Sequence, residues 1–335
     1  MDPKQQFEKL VHYLQLGQKL VLVEPILGGA LHNMWKLTTD TGVFAVKEIN
    51  SHISKKETFP HSYEVSEEVA TRFSQNGIPA ISANKIHDRF VHHVDEHWYL
   101  IYPYYNAQVC QFEALTEEQL QRVGSIFAGI HNLNIRVDHV DTAHYDYFDD
   151  QHWLNIIQQS ASIELLTLLN FILDCNQQYK KAINRLKANQ VVTHRDLHSL
   201  NVLWDEKNQP YIIDWETAGL MDPLLEVVGY GIEWGGIIQG SFKKLNTQIL
   251  FQQYKRERNQ PIDADRIRMS FQGWIGHCVL GWTEFNIRRM LGQTSRNQQE
   301  HKIGEHIIKN KMIPCIQYIS TNHDMLLDLA IKDLG

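Results

Sequence analysis

The most informative segment of the chain is residues 191–219, VVTHRDLHSLNVLWDEKNQPYIIDWETAG. Residues 191–193, 202–204 and 211–213 are short apolar runs of strand type, separated by polar turns. Between the first two runs His194, Asp196 and Asn201 form H-x-D-x-x-x-x-N, and Asp214 ends the third run in Ile-Ile-Asp-Trp-Glu. Phosphoryl transfer requires these residue types: a carboxylate to accept or orient the nucleophile's proton, then an amide and a second carboxylate to hold Mg²⁺ against a triphosphate. Asp196 is the expected base, and Asn201 and Asp214 are the expected metal ligands. The five-residue step from Asp196 to Asn201 lets one loop present both side chains to one cleft, and a hairpin returns Asp214 beside them. Taken singly, Asp and Asn of this kind cap turns and close hairpins. Their joint order, behind a strand lysine and a glycine turn, is what points to chemistry.

Upstream, Lys47 in VFAVKEIN places an amine on an expected strand, residues 44–49, among the apolar neighbours Val43, Ala45 and Ile49. There it can reach the α- and β-phosphates of a nucleotide. Residues 21–26 and 34–39 are the preceding strands of an antiparallel meander, with turns at Gly28-Gly29 and Asp40-Thr41-Gly42. Gly28 and Gly29 suit a turn that brings backbone N–H groups close to phosphate, and they equally suit an ordinary hairpin. Asp2-Pro3 starts a short amphipathic helix through Phe7, Leu10, Val11 and Leu14. A second helical stripe, Val65, Val69, Ala70 and Phe73, is closed by Gly77 and Pro79. Residues 86–94 and 97–102 read as two further strands about a turn at Asp95-Glu96, and Pro103 ends regular pairing. From Thr116 onward the pattern is helical, over residues 116–133, 153–186 with a break, and most of 223–322. A sheet-rich first third before a helix-rich remainder predicts two lobes: residues 1–104, nucleotide-binding, and 105–335, carrying catalysis and the acceptor site.

The composition agrees with a folded enzyme. The 335 residues are 43% apolar and 21% charged, which supplies a full core and excludes wholesale disorder. With 32 basic and 39 acidic side chains the net charge is −7, so a nucleic-acid partner, which needs a basic stripe, is not expected. Cys110, Cys175, Cys278 and Cys315 show no C-x-x-C pairing, which fits a reducing compartment. With no signal-peptide pattern and no membrane-length apolar run, the expected location is cytoplasmic and away from the membrane. The oligomeric state is not legible.

Asp196-Leu197-His198 followed by Asn201, and then Ile213-Asp214-Trp215-Glu216, resembles the D-L-H-x-x-N and I-D-W-E signatures of the aminoglycoside phosphotransferase and choline kinase family. These are small-molecule kinases with a protein-kinase-like fold, and the resemblance spans nearly the whole chain. Ser199 and Leu200 stand where that family often has Pro-Gly. His194-Arg195-Asp196-Leu197 also reads as the protein-kinase H-R-D-L. Three departures count against a protein substrate: His198 in place of Lys, Asp-Trp-Glu in place of Asp-Phe-Gly, and no Ala-Pro-Glu after Asp214. The resemblance implies an α+β bilobal fold with an antiparallel-sheet N-lobe and a mostly helical C-lobe. It implies ATP as the phosphate donor, with GTP as an alternative, and Mg²⁺ as the metal. It also implies that a helical glutamate holds Lys47. Gly77-Ile78-Pro79, similar to the family's helix-ending G-I-P, favours Glu67, with Glu64 and Glu68 open. Tyr102 to Tyr105, and Tyr102 and Tyr104 in particular, would form a hinge offering backbone groups to a purine edge, with aromatic packing as the alternative.

The acceptor site should draw on the helical region. Glu216, Asp222, Glu226, Glu233 and Glu284, with Asp149 and Asp150, suit an acidic funnel for an amine-bearing substrate, although helices also carry acids for solubility. Trp234, Trp274 and Trp282 with Tyr230 suggest aromatic walls for a sugar or a quaternary ammonium, or simply core. His87, His92, His93 and His97 crowd one expected hairpin, but strand alternation sends His92 and His93 to opposite faces, against a shared metal. The function expected is transfer of the γ-phosphate to a hydroxyl of a small cationic molecule such as an aminoglycoside-type antibiotic. Choline, another amino alcohol or a sugar is the alternative acceptor, and a nucleotide-binding regulatory pseudokinase the alternative class.

Overall fold

The computed structural model describes residues 3–27, 31–295 and 297–335, and the turn glycines Gly28 and Gly29 lie outside them. The chain sorts into two compact units. The first takes the chain up to Cys110 together with Ile135–Asp141 and Leu200–Ala218, and the second takes Gln111–Asn134, Thr142–Ser199 and Gly219–Gly335. The first crossing comes after Cys110, beyond the boundary expected at 104/105, and two later segments return to the first unit. A later division falls inside the H-x-D-x-x-x-x-N motif, between Ser199 and Leu200.

The first unit is built on a five-stranded antiparallel sheet of β1 (Leu20–Ile26), β2 (Asn33–Thr39), β3 (Val43–Glu48), β4 (Val91–Val94) and β5 (His97–Pro103), in the order β1-β2-β3-β5-β4. Alternation along the strands gives each face its own helix. Val46, Tyr99 and Ile101 pack with Phe7, Leu10, Val11 and Leu14 of α1 (Pro3–Tyr13). Leu100 and Val91 pack with Tyr63 of α2 (His61–Gln75). Lys47, next to Val46 and paired with Leu100 across the sheet, is thereby committed to the α2 side.

β4 is shorter than the strand expected over residues 86–94. His87 and Asp88 take positive φ angles of 49° and 61°, and Ile86 and Arg89 exchange both backbone hydrogen bonds. Two consecutive left-handed residues make a tight hairpin turn, so the chain reverses before β4 begins. A second, three-stranded sheet in this unit joins β6 (Ala107–Val109), β8 (Val202–Asp205) and β9 (Pro210–Ile212), in the order β6-β8-β9. β6 is too short for periodicity to register.

The second unit is helical apart from β7 (Val191–Thr193) paired with β10 (Gly219–Met221). Thr116 opens α3 (Glu117–Leu133) with a reciprocal capping box to Gln119. The expected break within residues 153–186 is at Ala161, whose left-handed φ of 52° ends α4 (Asp150–Ser160) just before α5 (Ile163–Ala188). There follow α6 (Pro223–Glu233), α7 (Lys244–Glu257), α8 (Ala264–Gly273), a π-helical stretch Trp274–Leu280, and α9 (Gly281–Met290). α10 (Gln298–Ile307) and α11 (Ile313–Leu334), joined by a second π-helical stretch, complete the unit. No described helix is long and apolar enough to cross a membrane.

Candidate active site

The β8–β9 hairpin pairs Val202 with Ile212, and so brings Asn201, one residue before Val202, and Asp214, two residues after Ile212, to the same end of the hairpin. The Ile213 N–H then donates to the Asn201 carbonyl oxygen at 3.0 Å, and Asp214 follows. Asp214 sits at φ 63°, ψ 56°, a left-handed conformation uncommon outside glycine and concentrated at turns and functional sites. It precedes the 3₁₀ turn Trp215–Thr217 without capping it, which leaves its carboxylate available. Trp215, buried and stacked on Phe73 of α2 at 5.3 Å, anchors that turn. The Asp214 side chain remains 38% exposed, and its Oδ1 lies 2.6 Å from Lys47 Nζ.

Lys47 also reaches Glu216 Oε2, at 3.4 Å. The same oxygen accepts from the Tyr63 hydroxyl at 3.1 Å and lies 3.2 Å from His32 Nε2. His32 Nδ1 accepts from the Asn50 N–H, so in the neutral ring the Nε2 proton faces Glu216. Burial pulls the Lys47 amine down, but the charges of Asp214 and Glu216 outweigh it and leave the amine above its ordinary value. Burial pushes Glu216 up, yet the His32 hydrogen bond, the Lys47 charge and Tyr63 carry it down to about 2.

The helical glutamates are engaged elsewhere. Glu67 accepts from the Ala83 N–H at 2.6 Å and from the Tyr102 hydroxyl at 2.5 Å. Glu64 accepts from the N–H groups of Phe90 and Val91, and Glu68 pairs with Arg72. None of the three hydrogen-bonds Lys47, whose nitrogen goes to Asp214 and Glu216. Burial raises the Glu67 carboxyl to about 7, in spite of its two hydrogen bonds and the nearby Lys47 charge. Tyr102 lies within β5 opposite Ala45, and its phenol is committed to Glu67. Tyr104 follows the strand, donating its N–H to the Val43 carbonyl at 3.4 Å and carrying Lys36 Nζ 4.8 Å from its ring centre.

In the second unit the Asp196 loop is held by α6 along its backbone. Arg195, at φ 64°, donates its N–H to Glu226 Oε1 at 2.5 Å, and its carbonyl accepts from the Tyr230 hydroxyl at 2.6 Å. That hydroxyl is also 3.3 Å from Asp196 Oδ1. The Leu197 carbonyl accepts from the Trp234 indole at 3.0 Å. Glu226 is buried, with Oε2 2.6 Å from His131 Nε2, and His131 Nδ1 is 2.9 Å from the Tyr254 hydroxyl. Glu233, at the end of α6, is raised to about 8 by burial and by the Asp196 charge.

The residues expected at the acceptor site lie as follows. Trp234 is 1% exposed, with its indole on the Leu197 carbonyl of the Asp196 loop. Glu284 is buried against His152 at 3.0 Å, with Arg288 at 3.9 Å. Asp222 caps α6 and meets Ser270 and Arg266. Trp274 is also buried, whereas Trp282 is 47% exposed and stacked on Phe285. On the histidine hairpin, His92 is buried, His93 stacks on Trp98 and His97 pairs with Glu48, so the three diverge. The Asn201 amide and Asp214 carboxylate offer the oxygen donors a hard divalent cation takes. His32 and Tyr63 were missed from sequence. His32 was visible beside the glycine turn, while Tyr63 carries no local signal.

These features define an α+β, kinase-like protein: an antiparallel sheet with a buried strand lysine, then a largely helical remainder. The chain belongs to the phosphotransferase enzyme family (APH), whose model matches residues 22–257. No curated protein matches it by sequence. Among solved structures it is similar to spectinomycin phosphotransferase APH(9)-Ia, solved with ADP and spectinomycin, at 15% identity and TM-score 0.66 over 93% of this chain and 98% of that one. It is similar to choline kinase LicA from Streptococcus pneumoniae at 12% identity and TM-score 0.59, over 95% of this chain and 99% of that one. An ethanolamine kinase from Plasmodium vivax matches at 11% identity and TM-score 0.60, over 94% of this chain and 88% of that one.

Proposed function

We propose that this protein is an ATP- and Mg²⁺-dependent phosphotransferase that moves the γ-phosphate to a hydroxyl of a small cationic molecule of the aminoglycoside type. The observation that carries the reading is the convergence of Lys47, Asn201 and Asp214 in one unit of a chain from a phosphotransferase family. Lys47 grips the α- and β-phosphates of ATP, with GTP as the alternative donor. Asn201 and Asp214 hold Mg²⁺, which when bound neutralises charge on the β- and γ-phosphates. Asp196, steadied by the Tyr230 hydroxyl, orients the acceptor hydroxyl and takes its proton. Glu233 meets a protonated amine of the acceptor: its carboxylate form, disfavoured beside Asp196, gains most from a cation. An aminoglycoside-type antibiotic is favoured by the likeness to a spectinomycin phosphotransferase, and antibiotic resistance is the role that acceptor would carry. Choline or another amino alcohol is the second reading, supported by the likeness to choline and ethanolamine kinases.

The test is nucleoside diphosphate release from Mg²⁺-ATP across aminoglycosides, aminocyclitols, choline, ethanolamine and small sugars. Release should depend on one acceptor class, and Asp196→Ala should lower turnover by about 10²- to 10⁴-fold while nucleotide still binds. Metal-dependent nucleotide binding without transfer to any acceptor would overturn the enzyme in favour of a regulatory pseudokinase.

A further inference from the structure

Among the described residues, the hydrogen-bond partners of Lys47 are Asp214 and Glu216, and they differ from the arrangement implied by resemblance. Each glutamate of α2 has its hydrogen bonds accounted for by other groups. Asp214, 2.6 Å from Lys47, is the carboxylate expected to go to the metal, so it cannot be the amine's lasting partner once a metal–nucleotide complex is bound. Glu216 is different. Its Oε2 lies 3.4 Å from Lys47 Nζ and is fixed from two further sides, by the Tyr63 hydroxyl at 3.1 Å and the His32 ring at 3.2 Å. Tyr63 and His32 are themselves 3.0 Å apart, and the Asn50 N–H holds the far ring nitrogen of His32. A carboxylate with that many donors on one oxygen has little freedom, which is what a positioning group requires.

Building on the phosphotransferase reading, we infer that Glu216, braced by His32 and Tyr63, is the residue that positions Lys47 for the nucleotide phosphates, in place of a carboxylate of α2. The device links three elements within the first unit: Tyr63 from α2, His32 from the segment that enters β2, and Glu216 from the turn after Asp214. Glu67 has a separate task, tying the Ala83 backbone and Tyr102 to α2.

The test is a double-mutant cycle on nucleotide binding and turnover, with lysine reactivity as an independent arm. Glu216→Gln should raise both the Kd and the KM for Mg²⁺-ATP by on the order of tenfold, with a smaller change in kcat. Tyr63→Phe and His32→Ala should move both constants the same way by less. In a Lys47→Met background Glu216→Gln should add almost nothing, because its effect acts through the missing amine. Glu67→Gln should add to Lys47→Met in full. Full additivity of Glu216→Gln with Lys47→Met would overturn the inference and assign Glu216 to the metal or the acceptor instead. The second arm needs no nucleotide: acylation of Lys47 by an amine-reactive ester, followed by peptide mass spectrometry on the full-length protein. Glu216→Gln should change that rate severalfold and Glu67→Gln by less than about twofold. The reverse order would overturn the inference. If the wild-type protein binds no nucleotide, the phosphotransferase reading fails, and the acylation arm still decides which carboxylate positions Lys47.

Discussion

Glu67 shows how a single side chain can carry a large unfavourable charge for the sake of local structure. Its carboxyl is buried and titrates near about 7, well above the ordinary glutamate value of 4.5. The folded chain therefore holds this proton more tightly than the unfolded chain does. Its contribution to stability is complete below about pH 4.5 and is lost as the pH climbs through about 7. Glu67→Gln removes the ionisation and keeps an amide that can exchange a hydrogen bond with the Tyr102 phenol. Between pH 4.5 and 7 the wild type should lose stability relative to this variant, by on the order of 3 kcal/mol, in urea titrations at a series of pH values. A constant difference across that range would show that Glu67 stays ionised. The motifs that contain Lys47, Asp196, Asn201 and Asp214 were legible because type, order and spacing survive in one dimension. The joint contact of Tyr63 and His32 was not, because it lies at one shared oxygen of Glu216, more than 150 positions from each.

Among the helices of the second unit, α3 and α7 approach backbone to backbone at Gly124. A Cβ on Gly124 would stand 2.6 Å from the Leu250 carbonyl oxygen and 2.9 Å from the Gln253 Cβ. Backbone cannot yield as a flexible side-chain tip can, so Gly124→Ala should force the helices apart in spite of alanine's better helix propensity. A destabilisation of about 1 to 3 kcal/mol in equilibrium unfolding is expected. An unchanged or raised midpoint would mean the pair has slack. The same packing matters to the site, because Tyr254 of α7 meets His131 of α3, and His131 in turn meets the carboxylate of α6 that receives the Arg195 N–H. Periodicity predicted these helices well. It gave no sign of the π-helical stretch Trp274–Leu280, since a widened turn depends on what the flanking helices pack against.

On the scale of the molecule, each unit carries a histidine kept neutral by burial: His92 in the first and His277 in the second, both pulled down to about 4. A depressed histidine means that the unfolded chain binds more protons than the folded one between about pH 4 and 6.5, so stability falls as the solution is acidified through that window. His92 Nε2 is buried without a hydrogen-bond partner, so His92→Leu forfeits no hydrogen bond at that atom. The variant should show a shallower acid limb than wild type when stability is measured by urea unfolding between pH 4 and 7. Parallel curves would show that His92 does not titrate on unfolding.

Residues 191–219 determined by themselves that this chain has the chemistry of phosphate transfer and a kinase-like fold, because both rest on residue types at short spacing and on runs of apolar residues. The meander of β1 to β3 and the long helices were equally local, since a strand or helix writes its own period into the sequence. Tertiary structure alone decided that Lys47 turns to Asp214 and Glu216 and not to Glu67. It also decided that Trp234 and Glu284 are buried, with Trp234 on the Leu197 carbonyl and Glu284 beside His152. The physical reason is the same in each case. Which polar group satisfies which depends on distances across elements remote in sequence, and on how much water each site excludes, and neither quantity exists until the chain has folded.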